Sequence, residues 1–337
     1  MNQEIIDRIN LLARADEPFL FVINYNSDDA YICRLCDIDP QECQYDFEGI
    51  TGSTSLAPDC CPTHNNRPLP YPVEWEVDAP VFDTYARSFN IVRGNMLAGN
   101  SYLANLTCRV GVRCNLSLQQ IFHHARGKYK LLLNGNRQQG RRFVCFSPET
   151  FLRIDNGRIY SYPMKGTIDA SLPDARQRLL NDTKEAAEHA TIVDLIRNDL
   201  SRVASQVRVD KYRYIDVLHT NKGDILQTSS EVSGKLPTDW RNRLGNIIDA
   251  QLPAGSITGA PKKKTMQIIS QAETYNRGFY TGIMGIYSHG KLNSAVMIRF
   301  VEEDAHGLAF KAGGGITAKS DCQKEYDEVI QKIYLPI

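Results

Sequence analysis

The sequence has no excess of either charge, because 39 Lys and Arg balance 39 Asp and Glu over 337 residues. A balanced chain lacks the global field that draws a protein to nucleic acid or to an anionic membrane surface. No apolar run approaches the length of a membrane span, and the N-terminal stretch carries acidic residues before its first short apolar run. We therefore expect a cytoplasmic protein without nucleic-acid or membrane partners, whose ligand binds in a local site.

Internal repeats, low-complexity tracts and the G-x-x-x-x-G-K-[ST] order of a phosphate-binding loop are also missing. With 42% apolar residues the chain can bury a substantial core. We predict one domain overall, in which residues 1–75 form a short N-terminal strand and loop segment packed on a main region of residues 76–337. The stretch 57–68, rich in Pro and Asn, is the plausible linker.

Cysteine is not scarce, and five of the nine cysteines fall within the first 61 positions. The Cys33-x-x-Cys36 pair could open a zinc site, which ligands in the same stretch would complete: Cys43, Cys60, Cys61 or His64. A zinc ribbon repeats its paired spacing, whereas these partners are irregularly spaced. Free buried thiols in a reducing compartment are the simpler interpretation.

Lys165 lies in Tyr162-Pro163-Met164-Lys165-Gly166-Thr167, after an apolar run typical of a strand. Pro and Gly on either side indicate a turn at which the backbone can approach a ligand closely. A lysine there could act as a nucleophile or a base if burial or a neighbouring cation lowered its pKa. A solvated loop lysine is the alternative, and the residues downstream decide against it.

Two predicted helices each carry a pair of glutamates three residues apart, on residues 182–203 and on the segment that follows a capping-box pattern at 320–323. The pairs are Glu185 with Glu188, and Glu325 with Glu328. A spacing of three puts both carboxylates on one side of a helix. Either pair alone would usually be surface, but two pairs beside buried faces are what a Mg²⁺ site with retained waters can use.

Between these helices lie motifs suited to a carboxylate ligand. The turn 255–262 offers free N–H groups and the hydroxyls of Ser256 and Thr258 to an anion. The apolar run 295–300 is predicted as a strand whose inward-pointing Arg299 would grip a carboxylate. The triple Gly313–Gly315 suggests a bulge or corner, and it lets backbone N–H groups approach a carboxylate. The residues thus indicate a compact organic polyanion as substrate.

These motifs, in this order, resemble those of the chorismate-utilising enzymes, and the resemblance covers roughly residues 85–335. It is carried by the segments 147–149, 163–167, 187–200, 255–262, 277–282, 298–299 and 312–328. The family's fold is α+β, with two packed antiparallel β-sheets, helices outside and the site buried between the sheets. The sequence without the resemblance predicts only a mixed α/β protein with a strand-rich first half.

The Pro-x-Lys-Gly-Thr form is most similar to the chorismate-aminating members of the family, which serve p-aminobenzoate and folate synthesis. The resemblance implies that Lys165 attacks C2 of chorismate while Glu149 acts as general acid for the 4-hydroxyl, and that ammonia adds at C4 to give 4-amino-4-deoxychorismate. A separate glutamine amidotransferase subunit, in a heterodimer, would supply the ammonia.

The same resemblance assigns the remaining site residues. Mg²⁺ would be held by Glu188 and Glu328, with Glu185 and Glu325 behind them through waters. The substrate carboxylates and ring would contact Arg299, Tyr280, Thr258, Gln227, Gly313, Gly314 and Gly315. Residues 76–337 would then be the chorismate-binding catalytic region.

Two departures from the family pattern stand out. Gln227 occupies the position of a histidine in many relatives, and an amide can form hydrogen bonds but cannot donate a proton as an acid. The N-terminal part is shorter than usual, so we expect no feedback regulation by tryptophan. The alternatives are an isochorismate, salicylate or anthranilate synthase on the same scaffold, or a non-catalytic binding or zinc-carrying relic.

Overall fold

The computed structural model describes residues 1–52, 71–220 and 223–337. Within them the chain forms helices and two antiparallel sheets, each with nine strands. The helices are α1 (Gln3–Arg14), α2 (Phe82–Leu97), α3 (Leu118–His124), α4 (Ala175–Asn181), α5 (Thr183–Ser201), α6 (Leu244–Gln251), α7 (Lys262–Ala272) and α8 (Cys322–Gln331). None of these helices is long and apolar enough to cross a membrane.

The first sheet combines strands from both ends of the chain with strands from its middle. They are β1 (Phe19–Ile23), β2 (Ala30–Arg34), β9 (Thr150–Asp155), β10 (Arg158–Ser161), β11 (Met164–Asp169), β12 (Ser205–Thr220), β13 (Gly223–Lys235), β15 (Ile283–Ser288) and β16 (Lys291–Val296). Their order is β11-β13-β10-β9-β16-β15-β1-β2, and β12 pairs with β13.

The second sheet has the order β14-β6-β18-β17-β8-β7-β3-β4, and β5 pairs with β6. Its strands are β3 (Cys43–Phe47), β4 (Ile50–Thr51), β5 (Trp75–Asp78), β6 (Leu103–Cys114), β7 (Tyr129–Asn134), β8 (Arg142–Ser147), β14 (Gly259–Ala260), β17 (Phe300–Asp304) and β18 (Gly307–Ile316). The expected α+β fold with two antiparallel sheets and outer helices is confirmed.

Strand β1 explains how the layers are held together. All five of its residues are buried. Phe19 and Phe21 pack with α1 on the outer face of the first sheet. Leu20 and Val22 point the other way and pack against second-sheet residues such as Phe143. A strand buried on both faces needs a continuous apolar run, and each such side chain contributes about 1.5–3 kcal/mol through burial.

The first 52 residues supply strands to both sheets, and β1 lies inside the first sheet between β15 and β2. The predicted linker 57–68, Cys60, Cys61 and His64 lie outside the described residues. Of the other three cysteines in the zinc hypothesis, Cys43 is buried, Cys33 partly buried and Cys36 exposed, and each is a free thiol. In the described part of the chain no three His, Cys, Asp or Glu are grouped so that they could hold a metal.

Two of the places where the chain crosses from one sheet to the other lie next to each other. Residues 148–149 lead from β8 to β9, and residues 297–299 lead from β16 to β17. The Phe146 N–H donates to the Arg299 carbonyl over 3.2 Å, and the Val296 N–H donates to the Glu149 carbonyl over 3.3 Å. These bonds fix the two crossovers side by side.

Candidate active site

A cavity of about 310 Å³ opens beside the two crossovers. Its walls come from β6, both crossovers, β11, α5, β13, the 3₁₀ turn Gly255–Ile257, β18 and the end of α8. Nine predicted site residues line it: Glu149, Lys165, Glu188, Gln227, Tyr280, Arg299 and, on β18, the glycines that begin with Gly313. All three glycines 313–315 belong to that wall.

Lys165 lies on a β-bulge of β11, and not at the predicted turn. Met164 pairs with Ser229 and Thr167 with Gln227, so two residues of β11 face one residue of β13. Gly166 adopts φ +84°, which a residue with a side chain takes only with strain. Such a bulge re-aims a side chain and is common next to active sites. The Pro-x-Lys-Gly pattern indicated an irregular backbone at Lys165, but it did not indicate that this irregularity lies inside a sheet.

The amine of Lys165 lies 2.8 Å from a carboxylate oxygen of Glu188. Burial lowers the pKa of Lys165, but the hydrogen bond and charge of Glu188, aided by Glu185 and Glu328, outweigh burial and raise the pKa above its usual value. The expectation of a lowered pKa is therefore wrong for the ligand-free site. A lysine amine that is protonated and paired with a carboxylate cannot act as a nucleophile.

Glu149 stands in the β8–β9 crossover. Burial raises the pKa of Glu149, against the opposing effects of a hydrogen bond with Ser256 and the charge of Arg299. A carboxyl group whose pKa is raised carries its proton closer to neutral pH, which is what a general acid requires. The prediction of Glu149 as a general acid came from the family resemblance alone, and the raised pKa of its carboxyl group agrees with that prediction.

Arg299 lies between β16 and β17, so the prediction of a strand arginine is wrong. Its backbone adopts φ +56°, and its guanidinium carbon lies 5.8 Å from the ring centre of Tyr334. Because the chain changes sheets here, the side chain of Arg299 reaches the cavity beside Glu149. The phenol ring of Tyr280, only 3% exposed, forms part of the same wall.

The three glycines form a regular stretch of β18 and not the suggested bulge or corner. Residues 308–316 pair with β6 without a register shift, with Gly313 opposite Thr107 and Gly315 opposite Asn105. A side chain at 313 would meet a Thr107 methyl group at 2.5 Å. The glycines thus leave a flat backbone wall on which a planar ligand can lie.

Lys332, at the C-terminal end of α8, is a cavity residue that the sequence analysis missed. Its amine lies 2.8 Å from Glu328 and donates to the Gly313 carbonyl over 3.1 Å. Burial lowers the pKa of Lys332, with help from the nearby positive charges of Arg299 and Lys165. Four-residue spacing from Glu328 places Lys332 on the same helix face, and this spacing was the available signal.

Lys311 on β18 is a second missed cation. Its amine is held by Glu302 at 2.7 Å and by the Arg277 carbonyl at 3.0 Å. Lys165, Arg299, Lys311 and Lys332 together place four cations around one cavity. Such a lining favours a ligand with more than one carboxylate.

The four glutamates of the predicted metal site come from α5 and α8, and both pairs act on one lysine. Glu185, Glu188 and Glu328 all raise the pKa of Lys165. Burial raises the pKa of Glu325, and the positive charge of Lys165 acts in the opposite direction. One carboxylate oxygen of Glu185 is buried without a hydrogen-bond partner. Mg²⁺ usually takes one or two carboxylates and keeps several waters, so this donor set fits Mg²⁺ although the carboxylates form no tight cluster.

The two remaining predicted contacts differ in position. The side chain of Thr258 is fully buried, and its neighbours Ser256 and Ile257 line the cavity instead. Gln227 lines the cavity, and its side-chain oxygen is buried without a hydrogen-bond partner. Gln227 therefore offers a free acceptor to a ligand.

The comparisons with known proteins agree with the fold. The model of the chorismate binding enzyme family matches residues 20–336. A Haemophilus influenzae protein named "Uncharacterized PabA-like protein" is 46% identical over 335 residues, which are 99% of this chain and 97% of that protein. Aminodeoxychorismate synthase component 1 of Salmonella typhimurium is 31% identical over 261 residues, 74% of this chain and 56% of the synthase.

Among solved structures, anthranilate synthase component I from Streptococcus pneumoniae superposes with a TM-score of 0.65 at 26% identity, covering 78% of this chain and 59% of that chain. The chain thus spans little more than half the length of these two synthases. The match of the family model to nearly the whole length, together with the strand order and the cavity at the crossovers, leads to one conclusion. The chain belongs to the chorismate binding enzyme family.

Proposed function

We propose that the protein is a cytoplasmic enzyme that aminates chorismate to 4-amino-4-deoxychorismate, a step toward p-aminobenzoate and folate. The observation that carries the proposal is the presence of Lys165 and Glu149 in one cavity, an amine and a carboxyl group with a raised pKa. The relative named aminodeoxychorismate synthase component 1 supports the choice of reaction. A glutamine amidotransferase subunit would deliver the ammonia to a heterodimer.

The cavity suits the substrate chemically. Chorismate carries one carboxylate on its six-membered ring and a second on the side chain attached to the ring, and the cavity offers several cations and a glycine wall. We assign the carboxylates to Arg299 and Lys332, and the ring to the face formed by Gly313–Gly315. Tyr280 would limit the space on the far side.

In the reaction, the free amine of Lys165 attacks C2, both ring double bonds shift by one position, to C1=C6 and C4=C5, and the C4–oxygen bond breaks. Glu149 transfers its proton to the departing oxygen, which leaves as water. Ammonia then adds at C4, both double bonds shift back, and the C2–nitrogen bond to Lys165 breaks. The proton lost by the new ammonium group returns to Glu149, so the enzyme is restored.

The four glutamates of α5 and α8 would hold Mg²⁺, Glu188 and Glu328 directly and Glu185 and Glu325 through waters. When bound, Mg²⁺ would neutralise these carboxylates and bind the ring carboxylate of the substrate. With Glu188 holding a metal, Lys165 would lose the partner that raises its pKa. The burial of Lys165 would then favour the neutral amine.

The test is to incubate the purified protein with chorismate, Mg²⁺ and ammonium salt at mildly alkaline pH and to identify products by mass and chromatography. We expect 4-amino-4-deoxychorismate, and loss of most of the product with Lys165→Ala. Lys184→Ala is the matched control, because Lys184 approaches the same Glu188 at 3.8 Å while its side chain is 63% exposed.

Other products would assign the site differently. Isochorismate or salicylate would mean that water is the nucleophile, and anthranilate would move the amination to a different ring carbon. Absence of turnover with any nucleophile would favour a binding relic. Equal losses in Lys165→Ala and Lys184→Ala would contradict the nucleophile assignment.

A further inference from the structure

A second, much smaller cavity lies behind Glu149. It measures about 20 Å³ and is bordered by β9, the end of β10, α5 and the segment that follows α6. Glu149 and Ser256 line both this chamber and the large cavity. Glu149 therefore borders both spaces, and its carboxyl group is hydrogen-bonded to Ser256, which also borders both.

The chamber has the size of one water molecule. A single water needs about 10–15 Å³ and two to four polar partners. The polar side chains in the wall include Glu149, Ser161, Asp199 and Ser256. Ser161 donates its hydroxyl hydrogen to the Phe151 carbonyl, so its oxygen can still accept. The chamber thus meets both conditions for holding a water.

Asp199 is the unexplained group in this wall. It is 5% exposed, and one of its oxygens lies 2.8 Å from the amine of Lys262. Lys262 also donates to the Gln251 carbonyl, and Arg202 is the other charge that acts on Asp199. The large cavity is not lined by Asp199. A buried carboxylate beside the proposed acid needs a role beyond its ion pair.

We propose that the chamber holds one water that donates one hydrogen bond to Asp199 and the other to Glu149. The water occupies the inward oxygen of Glu149, so the proton of this carboxyl group stays on the outward oxygen, which faces the large cavity. Asp199 is then a positioning residue that acts through the water on Glu149. The inference rests on the proposed function only for the reaction that Glu149 serves.

The arrangement stabilises both forms of Glu149. While the carboxyl group is protonated, the water directs the proton toward the substrate. After the proton has moved to the departing oxygen, the same water hydrogen bond remains on the new carboxylate. No bulk water has to enter the reaction cavity for this purpose, because the chamber lies behind the acid.

The first test is a high-resolution crystal structure of the protein, with and without Ala254→Val. Ala254 lines the chamber, and two added methyl groups would fill it. We expect density for one water within hydrogen-bond distance of Asp199 and Glu149, which the variant loses. A dry chamber in the unaltered protein would overturn the proposal, whatever reaction the enzyme catalyses.

The second test is a double-mutant cycle measured as kcat and KM. Asp199→Asn should lower kcat about tenfold, because a general acid contributes about 10²–10⁴-fold and the substitution affects only its positioning. KM for chorismate should stay within about twofold of the unaltered value. In a Glu149→Gln background the same substitution should have no further effect on kcat. Losses that multiply in the two backgrounds would mean that Asp199 acts independently of Glu149.

Lys262→Met is the matched control, since it removes the ion pair of Asp199 but keeps the carboxylate. A structural role of the ion pair alone would give the same kcat loss in Lys262→Met and Asp199→Asn, and that result would contradict the proposal. If the unaltered protein fails to aminate chorismate but the chamber holds the water, the proposed function fails and the chamber water stands.

Discussion

The two ends of the large cavity are built in different ways. At the crossover end, Glu149 and Arg299 belong to segments tied together by backbone hydrogen bonds of 3.2 and 3.3 Å. At the helical end, Lys165 and Lys332 are held by ion pairs with Glu188 and Glu328, each 2.8 Å long. The first end has its geometry fixed by the fold, whereas the second has its charges balanced by contacts that a ligand can replace.

The energies support this difference. Partly exposed ion pairs contribute about 0–1 kcal/mol each, so metal and substrate can displace them at small cost. The side chains of Lys165 and Glu188 are 31% and 19% exposed, and those of Lys332 and Glu328 are 29% and 54% exposed. The crossovers instead join two sheets in the core and cannot move without disrupting both. We infer that ligand binding rearranges the helical end around a fixed crossover end.

Removing the carboxyl group from the fixed end should have the largest effect. Glu149→Gln keeps the shape but cannot donate the proton, so we expect kcat to fall by about 10²–10⁴-fold. Burial raises the pKa of Glu149, and activity that needs the protonated form declines as pH rises through that pKa. Profiles of kcat/KM against pH should therefore lose their alkaline limb in Glu149→Gln.

Ser256→Ala sharpens this prediction, because it leaves the carboxyl group in place. The Ser256 hydroxyl lowers the pKa of Glu149, so its removal should move the alkaline limb to higher pH. A limb that stays in place in both variants would belong to another group, and Glu149 would not be the acid.

At the helical end, Glu185→Gln should weaken metal binding. Substitution of a residue that holds the ligands of a metal through hydrogen bonds typically lowers metal affinity by about 10–100-fold. The unpartnered buried oxygen of Glu185 is the reason to choose this residue. The measurements are the Mg²⁺ concentration for half-maximal activity and direct Mg²⁺ binding by calorimetry.

Asp327→Asn is the control on α8, since Asp327 is exposed and accepts a hydrogen bond from Gln323. It should leave Mg²⁺ affinity unchanged. Equal weakening in both variants would mean that general charge, and not a site built from the four glutamates, attracts the ion.

The sequence predicted the helical end better than the crossover end. Glutamates at a spacing of three on an amphipathic helix are a local pattern, and both pairs lie where that pattern placed them. Even so, α8 is capped by Asp321, whose side chain accepts from the Lys324 N–H, and not by the predicted Ser320 capping box. Lys332 was missed, although the same helix periodicity could have predicted its position beside Glu328.

Arg299 shows why the other end was harder to predict. The run Ala295–Phe300 has the composition of one strand, but the chain leaves the first sheet at Val296 and enters the second at Phe300. Which residue lies at a crossover depends on long-range pairing of strands far apart in the chain, such as β16 with β9 and β17 with β8. Local composition carries little information about such pairings. The raised pKa of Lys165 was missed for the same reason, because its partner is on another element.

The bulge that carries Lys165 at the helical end can be tested with Gly166→Ala. A side chain at φ +84° is strained by about 1–2 kcal/mol, and the added carbon would lie 3.0 Å from Glu185. We expect lower stability, measured as the free energy of unfolding in urea, and a lower Mg²⁺ affinity.

Gly157→Ala provides the matched control. Gly157 has a similar φ of +71°, and an added carbon there would have no neighbour within 4 Å. It should lose stability to a similar extent and keep its Mg²⁺ affinity. If Gly166→Ala also keeps that affinity, the close approach of Glu185 to the bulge has no part in metal binding.

The smallest effect is expected at Gln227, which lines the cavity and has a buried oxygen without a partner. Gln227→Met has nearly the same shape but cannot accept a hydrogen bond, so we expect a loss of about 0.5–1.5 kcal/mol, a twofold to tenfold rise in KM. Gln227→His keeps one acceptor nitrogen and should stay within about threefold of the unaltered protein. Steady-state KM values for chorismate and for ammonium would show which ligand donates to Gln227. If Gln227→Met matched the unaltered protein for both ligands, the free acceptor would be unused, and selectivity would depend on the cations and the glycine wall.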